Sequence, residues 1–221
     1  MLSRQRLLAK EGPHAFGPAK RDRGYAEEAE RLVKQYESIS FSDVHRQVFH
    51  LIPSAPSRIL DTGSGTGRDA AGFAAMGHRV TAVEPTVELR LKAAALHPSP
   101  RIEWIDDSLP DLPSLVGHRF DMVMLTAVWM HLDEQQREQS MRRIAALVDV
   151  GGVMSFSLRY GPIPQGRRMF VVSADETVRL AEAEGLNLIL RFDNQDGLLG
   201  RPGVRWTRLA FRLGQLTSAA L

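Results

Sequence analysis

The stretch Ile59 to Ala70 reads ILDTGSGTGRDA. An apolar run ends in an acid, Asp61, and three glycines follow at alternate positions, Gly63, Gly65 and Gly67, with Ser64 and Arg68 among them. Without side chains, glycines let the backbone turn sharply and approach a ligand closely, while the helix that starts after them presents free N–H groups. The segment GTGRDA fits the permissive G-x-G-x-x-A pattern of dinucleotide sites. Asp61 speaks against a pyrophosphate, because a carboxylate at the mouth of a strand repels phosphate oxygens and attracts an ammonium group.

A ligand that suits both ends is therefore cationic or zwitterionic, and S-adenosylmethionine fits, with an amino group for the acid and a carboxylate for the helix N-terminus. About twenty residues beyond the glycines, VTAVEP carries Glu84 and Pro85, and an acid there accepts hydrogen bonds from both ribose hydroxyls. NAD and S-adenosylmethionine share that requirement, so Glu84 implies a nucleoside without choosing between them. In WIDDSLP an acid can accept from an adenine amino group while the next backbone N–H donates to a ring nitrogen; Asp107 with Ser108 is the favoured pair and Asp106 the alternative.

These residues need a scaffold that gathers them. RILDT, HRVTAVE, RIEWI, FDMVMLTAV and GGVMSFSLRY have the pattern of strands, and RDAAGFAAMG, TVELRLKAAALH, DEQQREQSMRRIAALV and ADETVRLAEAEG that of helices, so strands and helices alternate. Parallel strands need such crossovers, which predicts an α/β, doubly wound sheet with helices on both faces. LNLILRF and VRWTRLAFRL have no helix between them and should form an antiparallel hairpin, leaving a reversed strand at one end of the sheet. Two helices precede the first strand: YAEEAERLVKQYES, and FSDVHRQVFHLI with Ser42 as its N-cap and Pro53 as its stop. Residues 1–53 thus form an arm with two leading helices, and residues 54–221 the ligand-binding domain.

The order and spacing of ILDTGSGTGRDA, VTAVEP, IDDSLPDL, FDMVMLTAVWMHL and LVDVGGVMSFSL resemble those of the class I S-adenosylmethionine-dependent methyltransferases, most strongly over residues 56–158. The resemblance implies a seven-stranded sheet of order 3-2-1-4-5-7-6 with the last strand antiparallel. It implies cofactor contact by Asp61, Gly63, Gly65, Gly67, Glu84 and Asp107, with Thr126, Ala127 and Val128 lining the methionine side, and S-adenosylhomocysteine as product. No particular substrate is implied.

Acceptor-side candidates stand at the ends of the fourth and fifth strands. His131 has the chemistry of a general base or of a packed, hydrogen-bonded side chain; Trp129 lines the substrate pocket or covers the sheet. Arg159 and Tyr160 reach the same rim, where an arginine holds an acidic substrate group or bridges to a loop. Tyr25 and Tyr36 of the leading helices could close over the pocket as a lid, and Arg167 and Arg168 could do so from a Pro- and Gly-containing loop. Asp196, Arg201 and Trp206 are expected to stabilise the hairpin rather than to touch substrate.

Composition narrows the function classes. The 221 residues carry a net charge of +2, with 28 basic and 26 acidic residues interspersed, so no basic stripe marks a nucleic-acid partner. Cys is absent, which excludes disulfides, thiolate metal sites and a cysteine nucleophile, and the seven His have no metal-ligand spacing. No apolar run reaches membrane-spanning length and the N-terminal segment lacks the apolar core of a signal peptide, so the cytoplasm is the default location. No N-P-P-aromatic motif follows the fourth strand, which argues against amino-methylation of adenine, cytosine or glutamine. The expectation is a small-molecule O- or N-methyltransferase. Its rivals are a non-catalytic S-adenosylmethionine-binding regulator or partner subunit and an NAD-dependent oxidoreductase. A homodimer would form through the terminal hairpin or the leading helices.

Overall fold

The computed structural model describes residues 29–214. Two leading helices, α1 (Ala29–Glu37) and α2 (Phe41–His45), precede β1 (Arg58–Thr62), α3 (Arg68–Ala75), β2 (Arg79–Val83), α4 (Val87–Leu96) and β3 (Ile102–Ile105). Then come β4 (Phe120–Thr126), α5 (Glu134–Ala145), β5 (Val148–Tyr160), α6 (Ala174–Ala183), β6 (Leu186–Asp196) and β7 (Arg205–Leu213). The seven strands form one sheet of order β3-β2-β1-β4-β5-β7-β6, the order implied by the resemblance. β1 to β5 are parallel, and β7 runs antiparallel to both β5 and β6. The reversed strand therefore lies one in from the edge, because β6 crosses over behind α6 to the outside before the hairpin returns inward.

β1 pairs with β2 on one side and β4 on the other, so the strand order reverses there and a crevice opens at the carboxyl ends. Asp61 sits in that position, opposite Ala82 and Met124. Apolar side chains cover both faces. Leu60, Trp129, Phe156, Leu158 and Phe211 pack on the face covered by α5 and α6, and Ile59, Phe73, Met122 and Met124 on the face covered by α3. Trp129 meets Phe156 edge-on at 5.0 Å between ring centroids.

Two departures from the sequence expectation have local causes. FSDVHRQVFHLI is not one helix: α2 ends at His45 and a separate 3-10 turn spans Phe49–Leu51. Its N-cap is Ser40 rather than Ser42, the Ser40 hydroxyl accepting from the Asp43 N–H at 3.1 Å. Phe41 packs edge-on against Phe73 at 4.8 Å and rests directly over Gly72, where any Cβ would overlap its ring, so docking onto α3 sets the short helix. β6 runs on through Asn194 to Asp196, because Gln195 and Asp196 pair with Trp206 and Arg205 after an irregularity at Phe192.

Candidate active site

A cavity of about 600 Å³ opens over the carboxyl ends of β1, β2, β4 and β5 and the amino end of the reversed β7, within the usual size of a small-molecule site. Asp61, Gly63, Ser64, Gly65, Arg68, Glu84, Pro85, Asp107, Ser108, Thr126, Ala127, Val128, His131, Arg159 and Tyr36 all line it. Gly67 lies just behind, against the Trp104 ring.

Asp61 is 1% exposed and its Oδ2 has no hydrogen-bond partner. The Ala70 N–H in the first turn of α3 donates to its carboxylate. Burial, followed by the nearby Asp69 charge, drives the Asp61 carboxyl well above its ordinary range, against the pull of Arg68. Burial pushes Asp69 upward too, but His45 at 2.9 Å and Arg68 at 2.8 Å outweigh it and hold that carboxyl below its usual range. The site thus has one acid engaged by Arg68 and His45 and one buried acid with an open oxygen.

The glycine turn is shaped by steric need. Gly63 has φ +69° and a Cβ there would stand 2.6 Å from a Val128 methyl. Gly65, at φ +57°, has nothing closer than 4.0 Å to its Cβ position, so a ligand has room against its backbone. Glu84 fixes this turn: one oxygen accepts from the Gly65 N–H at 2.9 Å and the other from the Thr86 N–H at 2.8 Å. That second duty was not legible in the sequence.

Of the two acids after β3, Asp107 faces the cavity and Asp106 is held outside by Arg90 at 2.7 Å. Asp107 accepts from the Ser108 N–H at 2.7 Å and the Ser114 N–H at 2.8 Å, so the Ser108 N–H offered above to a ring nitrogen already has an acceptor. Beyond β4, Ala127 adopts φ +61°, a conformation an alanine rarely takes, and its N–H bonds to Ser157. This bend directs the following 3-10 turn, Trp129–His131, back beneath the sheet rim.

His131 Nδ1 lies 2.9 Å from the Arg168 carbonyl. A carbonyl only accepts, so Nδ1 carries the proton in the neutral ring and Nε2 is the basic nitrogen. Burial lowers the His131 pKa, with Arg167 and Arg159 adding to the effect, and the neutral form prevails at neutral pH. Arg159 is 8% exposed and donates to the Pro162 carbonyl at 2.7 Å.

Two candidates are corrected. Trp129 has no exposed surface and lies in the core against Phe156, so it does not reach the cavity. Tyr160 follows Arg159 along β5 and its side chain goes to the opposite face, where it packs on the core and pairs with Thr207. Conversely, Asp196, Arg201 and Trp206 line the cavity as well as bracing the hairpin, with Arg201 bonded to Gln35 of α1 at 2.6 Å. Ser157 and Arg208 line it too and were not singled out in the sequence. Arg167 and Arg168 also face it, whereas Tyr25 lies outside the described residues.

α1 closes one side. The Thr66 hydroxyl donates to Glu37 at 2.6 Å, His97 lies 3.4 Å from the same carboxylate, and Arg68 donates to the Tyr36 carbonyl at 3.2 Å.

Residues 59–152 match the model of a methyltransferase domain. No curated protein matches the chain. Among solved structures, the chain is similar to a 1,6-didemethyltoxoflavin-N1-methyltransferase from Burkholderia thailandensis, solved with 1,6-didemethyltoxoflavin and S-adenosylhomocysteine bound (TM-score 0.64, 19% identity, 96% of this chain and 99% of that one). It is also similar to the N-methyltransferase NodS from Bradyrhizobium japonicum in complex with S-adenosylhomocysteine (TM-score 0.61, 16% identity, 79% and 86% covered). The [4+2]-cyclase SpnF shares the fold at a TM-score of 0.66 and 14% identity, covering 87% of this chain and 95% of its own. Likeness at these identities is one of fold. Residues 59–152 thus match a methyltransferase domain, set in a fold that the chain shares with solved methyltransferases.

Proposed function

We propose that this protein transfers the methyl group of S-adenosylmethionine to an oxygen or nitrogen atom of a small-molecule acceptor. The observation that carries the proposal is the buried Asp61 Oδ2, which has no partner beside a glycine turn with room for a ligand. An ammonium group satisfies that oxygen, whereas a pyrophosphate would meet Asp61 and Glu84 together. The N-methyltransferases among the similar structures support a small-molecule acceptor.

Bound S-adenosylmethionine supplies a sulfonium-activated methyl, so the protein has only to align, shield and deprotonate. Asp61 would hold the amino group, the Gly63–Gly67 turn with Ser64 and Arg68 the carboxylate end, Glu84 with Pro85 the ribose, and Asp107 the adenine. Thr126, Ala127 and Val128 would flank the methionine chain. The chain's own part would be to hold the acceptor atom in line with that methyl, exclude water and take the acceptor proton on His131 Nε2. Tyr36 and Arg159 would face the acceptor, with α1 and α2 as the lid.

The test is incubation of the purified protein with methyl-labelled S-adenosylmethionine and a panel of small phenols, amines and heteroaromatics. Labelled product from at least one acceptor, lost in an Asp61→Ala variant, supports the proposal. Tight S-adenosylhomocysteine binding with no turnover across the panel would point instead to a non-catalytic cofactor-binding protein.

A further inference from the structure

The cavity's charges are divided. Its buried acids, Asp61, Asp69, Glu84 and Asp107, come from the β1, β2 and β3 side. The β5 and β7 side contributes Arg159 and Arg208, with Arg46 of the leading segment across from them. Elsewhere this fold saturates its buried arginines: Arg137, 5% exposed, binds Glu176 at 2.8 Å and the Leu132 carbonyl at 2.8 Å. Arg208 differs. It stands on β7 opposite Ser157, its guanidinium lies 5.6 Å from the Trp206 ring centroid, and it has no hydrogen bond or ion pair among the described residues. Arg46 has none either. Asp69, the acid whose charge acts on Arg208, is already engaged by His45 and Arg68, and of the other acids lining the cavity Asp43 is bonded to Ser40 and Asp196 to Arg205.

An arginine drawn into a cavity without a counter-charge is costly unless a ligand supplies one. Burial indeed pushes the Arg208 pKa down to about 10, with Arg68 and Arg46 adding to the effect despite Asp69, so the group is charged at neutral pH and short of negative partners. Its planar fork of donors matches a carboxylate or phosphate, and Trp206 beside it gives a flat wall for an unsaturated ring. We infer that Arg208, supported by Arg46, forms a subsite for an anionic group on the methyl acceptor, a carboxylate or a phosphate. This rests on the methyltransferase proposal for the word acceptor, while the anion subsite itself stands on the cavity alone.

The experiment is calorimetric titration of benzoate, phenyl phosphate and the neutral isostere benzamide into the protein, free and saturated with S-adenosylhomocysteine. Wild type should bind at least one of the two anions about tenfold or more tightly than benzamide, and whichever of benzoate and phenyl phosphate is preferred identifies the group. Arg208→Gln should abolish that preference and Arg208→Lys should keep part of it, with S-adenosylhomocysteine affinity unchanged in both as the check on folding. Arg46→Gln, at an exposed position that tolerates change, should weaken the preferred anion about threefold. Equal binding of anions and benzamide, or an anion preference that survives both Gln variants, overturns the inference. Failure of S-adenosylhomocysteine to bind, with Arg208-dependent anion binding intact in the free protein, would overturn the cofactor assignment and leave the subsite standing.

Discussion

Asp61→Asn should weaken cofactor binding and, at the same time, stabilise the free protein. The Asp61 carboxylate is buried, accepts from the Ala70 N–H, and leaves Oδ2 unpaired with Asp69 and Glu84 close by. Asparagine keeps an acceptor for Ala70 and removes the charge. An unpaired buried group costs about 1–3 kcal/mol, so relief of that order should raise the melting temperature of the cofactor-free protein by about 2–4 °C per kcal/mol at this chain length. The sign with pH follows from the raised Asp61 pKa: the folded chain holds a proton that the unfolded chain has released, so the Asp61 contribution to stability is greatest below the ordinary carboxyl range and is lost as pH rises through its folded pKa. The Asn variant lacks that decline, and its advantage should grow with pH. Loss of one charge-assisted bond to an ammonium costs about 1.5–3 kcal/mol, which is about 10- to 150-fold in Kd for S-adenosylhomocysteine. Thermal melts from acid to neutral pH and calorimetric titration measure both effects. A variant that is less stable than wild type at neutral pH yet binds S-adenosylhomocysteine equally well would refute the role given to Asp61.

Gly63→Ala should cost about 1–3 kcal/mol, because it combines φ +69° with a Cβ 2.6 Å from Val128; Val128→Ala in the same chain should recover part of the loss in a denaturation double-mutant cycle. His131→Gln should lower kcat about 10²- to 10⁴-fold while leaving S-adenosylhomocysteine affinity alone. In wild type, kcat/KM should rise with pH through a pKa below 6.5, since burial depresses the His131 pKa; an inflection above 6.5 would contradict this. Trp129→Phe and Tyr160→Phe should alter stability but not the acceptor KM, because both side chains lie away from the cavity.

That Asp61 and Glu84 would meet at one crevice was legible because the signals are local: an acid two residues before the first glycine, and a second acid at the end of the next strand, need only the strand and helix pattern to be placed. The acceptor side depends on how distant segments meet. Arg208 and Trp206 reach the cavity only because the hairpin inserts β7 beside β5, and no short spacing announces that. Arg159 and Tyr160 show a signal that was available: neighbouring strand residues face opposite ways, so Ser157 and Arg159 share the cavity while Leu158 and Tyr160 share the core. Trp129 was misplaced because the left-handed Ala127 turns the chain inward, and no residue type at that position predicts positive φ. The short α2 was set by Phe41 on Gly72, a contact between segments some thirty residues apart.

The central claim is that the crevice at Asp61 and Glu84 is an S-adenosylmethionine site. Calorimetric titration of wild type and Glu84→Ala with S-adenosylhomocysteine, and separately with NAD, tests it most directly. One-to-one binding of S-adenosylhomocysteine alone is expected, greatly weakened in Glu84→Ala, which would lose both the ribose acceptor and the anchor of the Gly65 N–H. Binding of NAD instead, or S-adenosylhomocysteine binding that Glu84→Ala leaves intact, would contradict it.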